Sequence, residues 1–361
     1  MNDTIKKVLN KLEEKGYKAY LVGGYCRDYL IGKINTDYDI CTNAKPKEIK
    51  QIFNKYTVPS DNYGCVTLFI DQKRFEITTF RKDIFYLKNR RPFRIKYVND
   101  LETDLKRRDF KMNTICMDVN GNIIDFLNGK ADIENKIISV VGDTNKKLKE
   151  DSLRMLRAVR FATTLNFDLD NNLKEGIINN AHLVKNLSYD RRKSELERIF
   201  SSPNCSRGLK LIKELGLCDY LEINLDNVVP TSNVIGIWAQ INSLKYKFSN
   251  NEKEHINKIR ELLNLNILDK KVIYKYGLYL TLVASEIKRI DKKEIYDIYN
   301  SLVIHDKKDI ELTPIDICNL LKRKPGQFLK EIIVDIEDKI ITNKLNNNKE
   351  ELGEYIIKKY K

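Results

Sequence analysis

Residues 21–42 read LVGGYCRDYLIGKINTDYDICT, and the fold and the chemistry of the chain are argued outward from them. An apolar run ends at Gly23-Gly24, a helical segment follows, and a second apolar run carries Asp37 and Asp39 one residue apart. The order of strand, glycine turn, helix and strand predicts an α+β unit. The two aspartates need a separate explanation, because their charges repel each other.

Two aspartates at this spacing are well suited to binding a cation and poorly suited to burial in a hydrophobic core. In an extended strand alternate side chains share a face, so Asp37 and Asp39 project together while Tyr38 points away. Hard oxygen ligands select Mg²⁺, which typically joins carboxylates to substrate phosphates. A simple turn at Asn35-Thr36-Asp37 is the alternative, since Asp-x-Asp is frequent by chance.

The neighbouring residues favour the metal interpretation. Gly23-Gly24 leaves bare backbone N–H groups at the start of a helix, where a phosphate can approach. Arg27 lies one turn further on and can add a charged fork to the same anion. A phosphate cradle, a guanidinium and a carboxylate pair within one short stretch predict nucleotidyl transfer with displacement of pyrophosphate.

Composition and charge limit the class of protein. A chain of 361 residues is expected to form two to four modules. Its net charge of +14 creates a positive field that usually meets a polyanion, most often nucleic acid. An AT-rich coding sequence also raises the lysine content, so charge alone leaves that alternative open.

Cysteines, histidines and hydropathy argue against several other classes. The seven cysteines are scattered without a CxxC pair, which argues against a disulfide framework and a zinc site. The histidines, His182, His255 and His305, are too few for a histidine-based metal site. No apolar run approaches the roughly 20 residues of a membrane span, so we expect a cytoplasmic protein without a membrane partner.

The character of the chain changes near residue 145. Before it, short β-rich runs alternate with turns, and Asn120-Gly121 between apolar stretches predicts a tight hairpin. The segment PKEIKQIF predicts a helix with proline in its first turn. After residue 145 nearly every segment has helical period. We therefore expect an α+β head followed by an all-helical remainder.

Three ordered motifs carry a family resemblance. Residues 21–42 resemble the motif GGxVRDxxxGxxxxDxDxxT of the class II tRNA nucleotidyltransferase and bacterial poly(A) polymerase family, within the polymerase-beta superfamily, with Cys26 at the usual valine. LKRRDFKMNTI at 105–115 resembles the family's RRDFTINA, and EDSLRMLRAVRFATTLNFDLD at 150–170 resembles its EDxLRxLRAxRFAxxLxF. The likeness covers most of the chain and weakens between about 222 and 310.

The resemblance implies a domain order. Residues 1–145 would form a polymerase-beta-like catalytic head with a mixed β-sheet, and 146–220 a helical neck that reads the base. Residues 221–290 would form a helical body, and 291–361 a helical tail that binds tRNA. Basic residues of the tail would contact phosphates, although solvated helix faces also explain them. They are Lys322, Arg323, Lys324, Lys330, Lys358 and Lys359.

The resemblance also implies roles for single residues. Asp37 and Asp39 would be catalytic and hold two Mg²⁺ ions, with Glu76 as a supporting carboxylate. Nucleotide contacts would come from a second set of residues: Gly24, Arg27, Arg108, Asp109, Asp151, Arg154, Arg157 and Arg160. For Lys106-Arg107-Arg108 a basic surface cluster is the alternative.

Asp151 and Arg154 suggest how the base is chosen. Three apart on a predicted helix, they share a face and present an acceptor beside a donor. Cytosine and adenine each offer an amino donor beside a ring-nitrogen acceptor, so one pair reads both. Uracil and guanine reverse this pattern and are refused. An intrahelical salt bridge is the alternative meaning of the spacing.

Residues 81–97, RKDIFYLKNRRPFRIKY, form a polar, basic stretch without clear period. They occupy the place of the family's flexible loop, which is tied to the switch from C to A. Several residues fit the pattern of that loop: Tyr86, Arg90, Arg91 and Pro92. Four residues, one in this stretch and three after RRDF, differ from those of the family: Lys88, Lys111, Met112 and Thr114.

These observations together predict a template-independent enzyme that adds C, C and A to tRNA 3′ ends from CTP and ATP. A poly(A) polymerase, or a partial enzyme that adds only CC or only A, shares every motif and is the first alternative. A non-catalytic RNA-binding protein of the same fold is the second, and the intact aspartate pair argues against it.

Overall fold

The computed structural model describes residues 1–62, 64–86 and 92–361. The chain divides into two compact units, Met1–Asn224 and Leu225–Lys361. Its described strands are β1 Ala19–Val22, β2 Tyr38–Thr42, β3 Thr57–Asn62, β4 Cys65–Ile70, β5 Lys73–Thr79, β6 Arg81–Tyr86, β7 Pro92–Tyr97, β8 Cys116–Met117, β9 Ile123–Ile124, β10 Ile137–Ile138 and β11 Asp168–Leu169.

A mixed sheet forms the centre of the first unit. Among the described residues its strand order is β3-β4-β5-β2-β1-β8-β9. The pair β2–β5 is parallel and the other pairs are antiparallel, which confirms the predicted mixed sheet. Because β2 lies centrally, the strand that carries Asp39 is flanked on both edges by hydrogen-bonded neighbours.

The helices of the first unit cover this sheet and continue beyond it. They are α1 Asp3–Glu13, α2 Gly24–Leu30, α3 Pro46–Ile52, α4 Leu101–Lys106, α5 Gly129–Glu134, α6 Thr144–Glu150, α7 Leu153–Leu165, α8 Asn171–Asn180, α9 Tyr189–Phe200, α10 Cys205–Glu214 and α11 Cys218–Leu221. The predicted first-turn proline is confirmed in α3, which begins at Pro46.

Apolar side chains join the sheet to its helices. One buried cluster brings together Val22 and Cys41 of the sheet with Leu101 and Leu105 of α4. Phe80, at the end of β5, is fully buried in the same cluster. The alternation of buried and partly buried residues along β5 is the period-2 pattern expected of a strand with one packed face.

Most of the predicted elements are confirmed, and the Asn120-Gly121 hairpin is among them. Gly121 has φ of +88°, and β8 pairs with β9 on either side of the turn. A backbone of positive φ favours glycine, which has no Cβ to clash. The sequence therefore predicted this turn for the right physical reason.

Two expectations are wrong in detail. The neck is not wholly helical, because β11 pairs in parallel with β10. The predicted continuous helix over residues 150–165 is broken, since α6 ends at Glu150 and α7 begins at Leu153. A third stretch, residues 81–97, had no predicted element and carries two antiparallel strands, β6 and β7.

The second unit is helical throughout its regular elements, as expected. Its α-helices are α12 Val234–Gln240, α13 Asn250–Leu263, α14 Lys270–Lys288, α15 Lys292–Asn300, α16 Pro314–Leu321, α17 Phe328–Ile341 and α18 Lys349–Tyr360. Helix α14 is kinked at Gly277, where φ is +76°. Within the described part of the chain, every helix is too short or too polar to cross a lipid bilayer.

Candidate active site

The aspartate pair lies at the start of β2. Asp37 directly precedes the strand and is exposed, whereas Asp39 is its second residue and is partly buried. Tyr38 points the other way and stacks on Phe75 with ring centroids 5.0 Å apart. The alternation predicted from the sequence is therefore present, and the aromatic contact fixes which face the carboxylates occupy.

A third carboxylate stands beside Asp39. In the parallel pair β2–β5, Asp39 and Glu76 are direct partners in register. Burial raises the pKa of Asp39 to about 6, Arg108 opposes the rise, and the Glu76 and Asp37 carboxylates add to it. The Glu76 carboxylate forms an ion pair with Arg74 on the same strand. Negative charge is thus concentrated at the point where β2 and β5 run side by side.

The donor set fits Mg²⁺ shared with a substrate. Among the described residues no group of three or more His, Cys, Asp or Glu side chains is placed to hold a metal on its own. Mg²⁺ typically uses one or two carboxylates and completes its octahedron with water and substrate phosphates. Asp37 and Asp39 are the two carboxylates that could hold such an ion.

The glycine turn brings backbone close to these carboxylates. Gly23 has φ of +79° and stands immediately before α2, which begins at Gly24. A Cβ atom on Gly23 would lie 3.4 Å from Asp39 Oδ2 and 3.6 Å from Arg108 Nη1. These are ordinary van der Waals distances, so the positive φ is what explains why glycine occupies this position.

Arg27 is held rigidly at the same turn. Its Nε donates to Asp28 Oδ1 at 2.9 Å, and its Nη1 donates to Asn113 Oδ1 at 2.8 Å. Asn35 Nδ2 donates to the other oxygen of Asp28 at 2.5 Å. The guanidinium is therefore fixed before any ligand arrives, which lowers the entropy cost of binding an anion.

Phe161 of α7 forms a platform for three guanidinium groups. The distance from the Phe161 ring centroid to the guanidinium carbon Cζ is 5.1 Å for Arg27, 5.4 Å for Arg157 and 4.0 Å for Arg160. Cations are attracted to the negative face of an aromatic ring, so Phe161 offsets part of the repulsion between these like charges. Phe161 is only 6% exposed and so belongs to the core, but it also lines the cavity of the site.

All three of these arginines also pair with acids, and the partner of Arg27 is Asp28. Arg157 Nε donates to Asp109 Oδ2 at 2.7 Å, and Arg160 Nε lies 2.7 Å from Glu195 Oε2. Burial alone would raise the pKa of Asp109, but Arg157 and hydrogen bonds from Asn113 and the Phe110 N–H outweigh it. They hold that pKa well below its usual range. Asp109 thus serves here as the counter-ion that orients Arg157.

A cavity of about 490 Å³ brings these residues together. Of the predicted site residues, it gathers the aspartate pair, the turn glycine and most of the basic side chains. Its wall consists of Gly23, Gly24, Arg27, Asn35, Asp37, Tyr38, Asp39, Arg74, Glu76, Arg108, Asp109, Asn113, Arg157, Arg160, Phe161 and Arg198.

Asp151 is not on the helix that was predicted to carry it. Its backbone is extended, with φ of −143° and ψ of 104°, and it links α6 to α7. Its Oδ1 accepts from the Leu153 N–H at 3.1 Å, as a residue before a helix start can do. The geometric premise that Asp151 and Arg154 share a helix face is therefore wrong, although the two remain close in the chain.

Arg154 is anchored in the junction between α6 and α7. Its Nη1 donates to the Lys147 carbonyl at 2.6 Å and to Glu150 Oε2 at 3.0 Å. Its Nη2 donates to the Arg107 carbonyl at 3.3 Å. The Lys147 carbonyl also accepts from the Asp151 N–H at 3.3 Å, so Arg154 adds a second donor at the end of α6. The alternative, an intrahelical salt bridge between Asp151 and Arg154, does not apply, because Asp151 lies outside α7. The Asp151 carboxylate forms an ion pair with Arg191 at 3.4 Å.

A second cavity of about 540 Å³ contains Asp151 and Arg154. It shares five wall residues with the first cavity, so the two adjoin: Asp39, Glu76, Arg108, Asp109 and Arg157. The metal-binding candidate and the base-reading candidate therefore face neighbouring spaces that have Asp39 in common.

Several wall residues were not predicted. Asn35, Arg74 and Asn113 lie within a few residues of predicted motifs, and their position there is the signal that could have found them. Arg191 and Arg198 come from α9, far along the chain, and lie in the stretch LSYDRRKSELERIF, which resembles a further motif of the family. That motif is the signal that could have found them. Of the loop residues, Lys88, Arg90 and Arg91 lie outside the described residues.

Comparison with known families divides the chain into three matched regions. Residues 19–139 match the family described as "Poly A polymerase head domain". Residues 166–225 match "Probable RNA and SrmB- binding site of polymerase A", and residues 239–356 match "tRNA nucleotidyltransferase domain 2 putative". The first region contains both aspartates and Glu76.

Curated relatives match along nearly the whole chain. A protein of Lactococcus lactis subsp. lactis named CCA-adding enzyme is 33% identical over 373 residues, which covers 95% of this chain and 94% of the relative. A protein of Geobacillus sp. with the same name is 32% identical over 384 residues, covering 97% and 95%.

Solved structures share the fold. The Bacillus stearothermophilus CCA-adding enzyme in complex with CTP superposes with a TM-score of 0.84 at 27% identity, covering 99% of this chain and 98% of that one. The Thermotoga maritima CCA-adding enzyme complexed with tRNA_CCA has a TM-score of 0.72 at 19% identity, covering 99% and 95%. The second likeness concerns the fold alone.

Proposed function

The chain belongs to the family of CCA-adding enzymes, and from this premise we propose that it adds C, C and A to the 3′ end of tRNA. The substrates are CTP and ATP, and pyrophosphate is released. The observation that carries the proposal is the shared wall of the two cavities, where Asp39 faces both the phosphate-binding and the base-binding candidates. The family implies a divalent metal, and we propose Mg²⁺.

Asp37 and Asp39 would hold the metal. When bound, Mg²⁺ lowers the barrier for attack of the tRNA 3′-hydroxyl on the α-phosphorus and neutralises the departing pyrophosphate. The new bond joins the 3′-oxygen to phosphorus, the bond to the bridging oxygen breaks, and the hydroxyl proton leaves with solvent. Arg27 and Arg160, preset by their contacts at the Phe161 platform, stabilise the phosphate charge.

The remaining predicted contacts share the two cavities. Gly24 would let the triphosphate approach the backbone at the start of α2, and Arg108 with Asp109 would meet the ribose. Arg157 would add charge near the phosphates while Asp109 orients it. These assignments are supported by the positions of the side chains on the cavity walls.

Base selection falls to Asp151 and Arg154. The free face of the Asp151 carboxylate would accept from the amino group of cytosine or adenine, and Arg154 would donate to the adjacent ring nitrogen. Arg154 donates to Lys147, Glu150 and Arg107 in the structure, so binding a base requires it to share or exchange those contacts. Uracil and guanine would leave polar groups unpaired, which a closed site penalises strongly.

The predicted division of labour extends to the rest of the chain. We propose that residues 1–145 act as head, 146–220 as neck, 221–290 as body and 291–361 as tail. Basic side chains of the tail would bind the duplex arm of tRNA through its phosphates, independently of sequence. Because its substrate is tRNA, we place the enzyme in the cytoplasm.

A product-sizing experiment tests the proposal. The purified protein is incubated with tRNA that lacks its three terminal nucleotides, with CTP alone, ATP alone, or both. We expect two additions with CTP alone and three with both nucleotides. A long A ladder would show a poly(A) polymerase, which the two family descriptions naming polymerase A keep as the second candidate. No addition at all would point to a binding protein.

A further inference from the structure

The carboxylate of Asp151 has a positively charged partner outside its own segment. Arg191 Nη2, on α9, lies 3.4 Å from Asp151 Oδ2. The other oxygen, Oδ1, accepts from the Leu153 N–H at 3.1 Å. Each oxygen therefore has a different partner, and the plane of the carboxylate is set by the two together.

This second partner matters because the backbone of Asp151, although hydrogen-bonded to Lys147 and Arg154, does not fix the direction of its carboxylate. The residue is extended between two helices, so no helical turn of its own fixes its side chain. The terminal torsion of an aspartate is broad and has no sharp rotamer preference. One hydrogen bond to Oδ1 still leaves the carboxylate free to tilt about that contact, and the ion pair with Arg191 removes this freedom.

Arg191 is itself well placed for the task. Helix α9 packs against α7 through buried apolar residues, among them Leu196 and Ile199. The side chains of Arg191 and Asp151 are 25% and 20% exposed, and both line the second cavity. The ion pair thus opens onto the proposed base-binding space and is not hidden in the core.

We propose that Arg191 is a positioning residue that sets the selectivity of the site for bases with an exocyclic amino group. Arg191 fixes the direction in which Oδ2 of Asp151 points. An amino group of cytosine or adenine can then donate to the carboxylate, whereas the carbonyl oxygen of uracil or guanine is repelled by it. Without Arg191, the carboxylate can turn away from that carbonyl, and the penalty against the wrong base falls. This inference rests on the proposed function, since it assigns a partner to the residue that reads the base.

Single-nucleotide kinetics test the inference. With tRNA lacking its CCA end, kcat/KM is measured for CTP and for UTP in wild type, Arg191→Ala, Arg191→Lys, Asp151→Ala and the double variant Asp151→Ala/Arg191→Ala. We expect the ratio of CTP to UTP to fall about tenfold in Arg191→Ala, in line with the loss of one hydrogen bond to a charged group. Arg191→Lys keeps part of the ratio, because it keeps the charge. Lys210→Ala replaces an exposed residue of α10 and serves as the control, in which the ratio of CTP to UTP should not change.

The double variant separates positioning from other roles. If Arg191 acts through Asp151, adding Arg191→Ala to Asp151→Ala leaves the ratio unchanged. An equal loss for CTP and UTP, a further fall of the ratio in the Asp151→Ala background, or an unchanged ratio in Arg191→Ala would overturn the inference. Thermal melting verifies that the variants fold, and Arg191→Lys gives the answer if Arg191→Ala does not fold.

The same assay separates this inference from the proposed function. If wild type adds no C from CTP, the proposed function fails, whatever Arg191 does. If wild type adds C, C and A but Arg191→Ala keeps full discrimination, only the role of Arg191 fails.

Discussion

Single residues of the site are held by opposite charges before any substrate binds. Asp109 orients Arg157, Asp28 orients Arg27, and Asp151 pairs with Arg191. Preorganised charges stabilise a transition state without reorganising during the reaction. The acids of this site thus have two tasks: metal binding, which we propose for Asp37 and Asp39, and orientation of arginines by Asp28 and Asp109.

The Asp109–Arg157 pair gives a prediction for stability and its pH dependence. The pKa of Asp109 is lower in the folded protein than in the unfolded chain. Its contribution to stability is therefore complete above about pH 4 and is lost as the pH falls through the lower folded pKa. We expect Asp109→Asn to lower the free energy of unfolding by about 3 kcal/mol at pH 7, because it leaves Arg157 without its buried partner.

Urea denaturation at pH 7 and near pH 3 measures this difference. The gap between wild type and Asp109→Asn should shrink at the lower pH. Glu214→Gln, which removes an exposed pair with Lys210, serves as the matched control and should change stability little. A gap that is constant over this pH range would contradict the assignment of the ion pair.

At the residue scale, the sequence predicted the chemical roles of side chains better than it predicted which side chains are in contact. The shared face of Asp37 and Asp39 was predicted from their spacing, because strand alternation is a local rule. Their metal role was predicted from the glycine turn and Arg27 nearby. Glu76 was found only through the family, and its register opposite Asp39 depends on a parallel pairing between strands distant in the chain. Arg191 and Arg198 were missed: the family motif in α9 could have found them, but the helical pattern alone does not indicate which side chains will face a cavity built by other elements.

At the element scale, the break between α6 and α7 decides where the base-reading residues stand. The hydrophobic period runs through residues 150–165, so the sequence predicts one helix. Aspartate and serine favour helix ends, however, because their side chains bond to nearby backbone N–H groups. The break is also held by distant contacts of Arg154, including the Arg107 carbonyl, which no local pattern reveals.

The position of α7 also depends on close packing at a glycine. A Cβ atom on Gly208 of α10 would lie 2.3 Å from Ile199 Cγ2 of α9 and 2.8 Å from Thr163 Oγ1 of α7. We expect Gly208→Ala to lower the free energy of unfolding by about 2 kcal/mol, because the overpacking exceeds the gain in helix propensity.

Denaturant midpoints of the full chain test this expectation. Lys210→Ala lies on the same helix with a side chain that is 76% exposed, and it should change stability by less than about 0.5 kcal/mol. If Gly208→Ala were as stable as wild type, the three helices would not be packed as closely as described.

At the scale of the whole molecule, the net charge of +14 gives the protein a field that attracts a polyanion. The net charge follows directly from the composition, whereas tRNA was identified as the polyanion through the family resemblance. Composition could not say where the charge acts, because lysines on solvated helix faces and lysines on a binding face look alike in sequence.

The tail gives a prediction at this scale. Arg323, Lys324 and Lys330 are exposed in the second unit. Replacing all three with alanine should weaken tRNA binding and reduce the slope of log K against log salt by up to about three, while CTP binding is unchanged. Filter binding over a range of salt concentrations measures the slope. An unchanged slope would remove these residues from the RNA-binding surface.

The central claim is that Asp37 and Asp151 act on one bound nucleotide, the first through its phosphates and the second through its base. The most direct test compares incorporation of each of the four nucleotides by Asp37→Asn and Asp151→Asn. We expect Asp37→Asn to lose addition of every nucleotide, by about a thousandfold or more. Asp151→Asn should keep addition and accept bases that wild type refuses, since its amide can donate to a carbonyl. Equal loss of all four nucleotides in both variants would contradict the account.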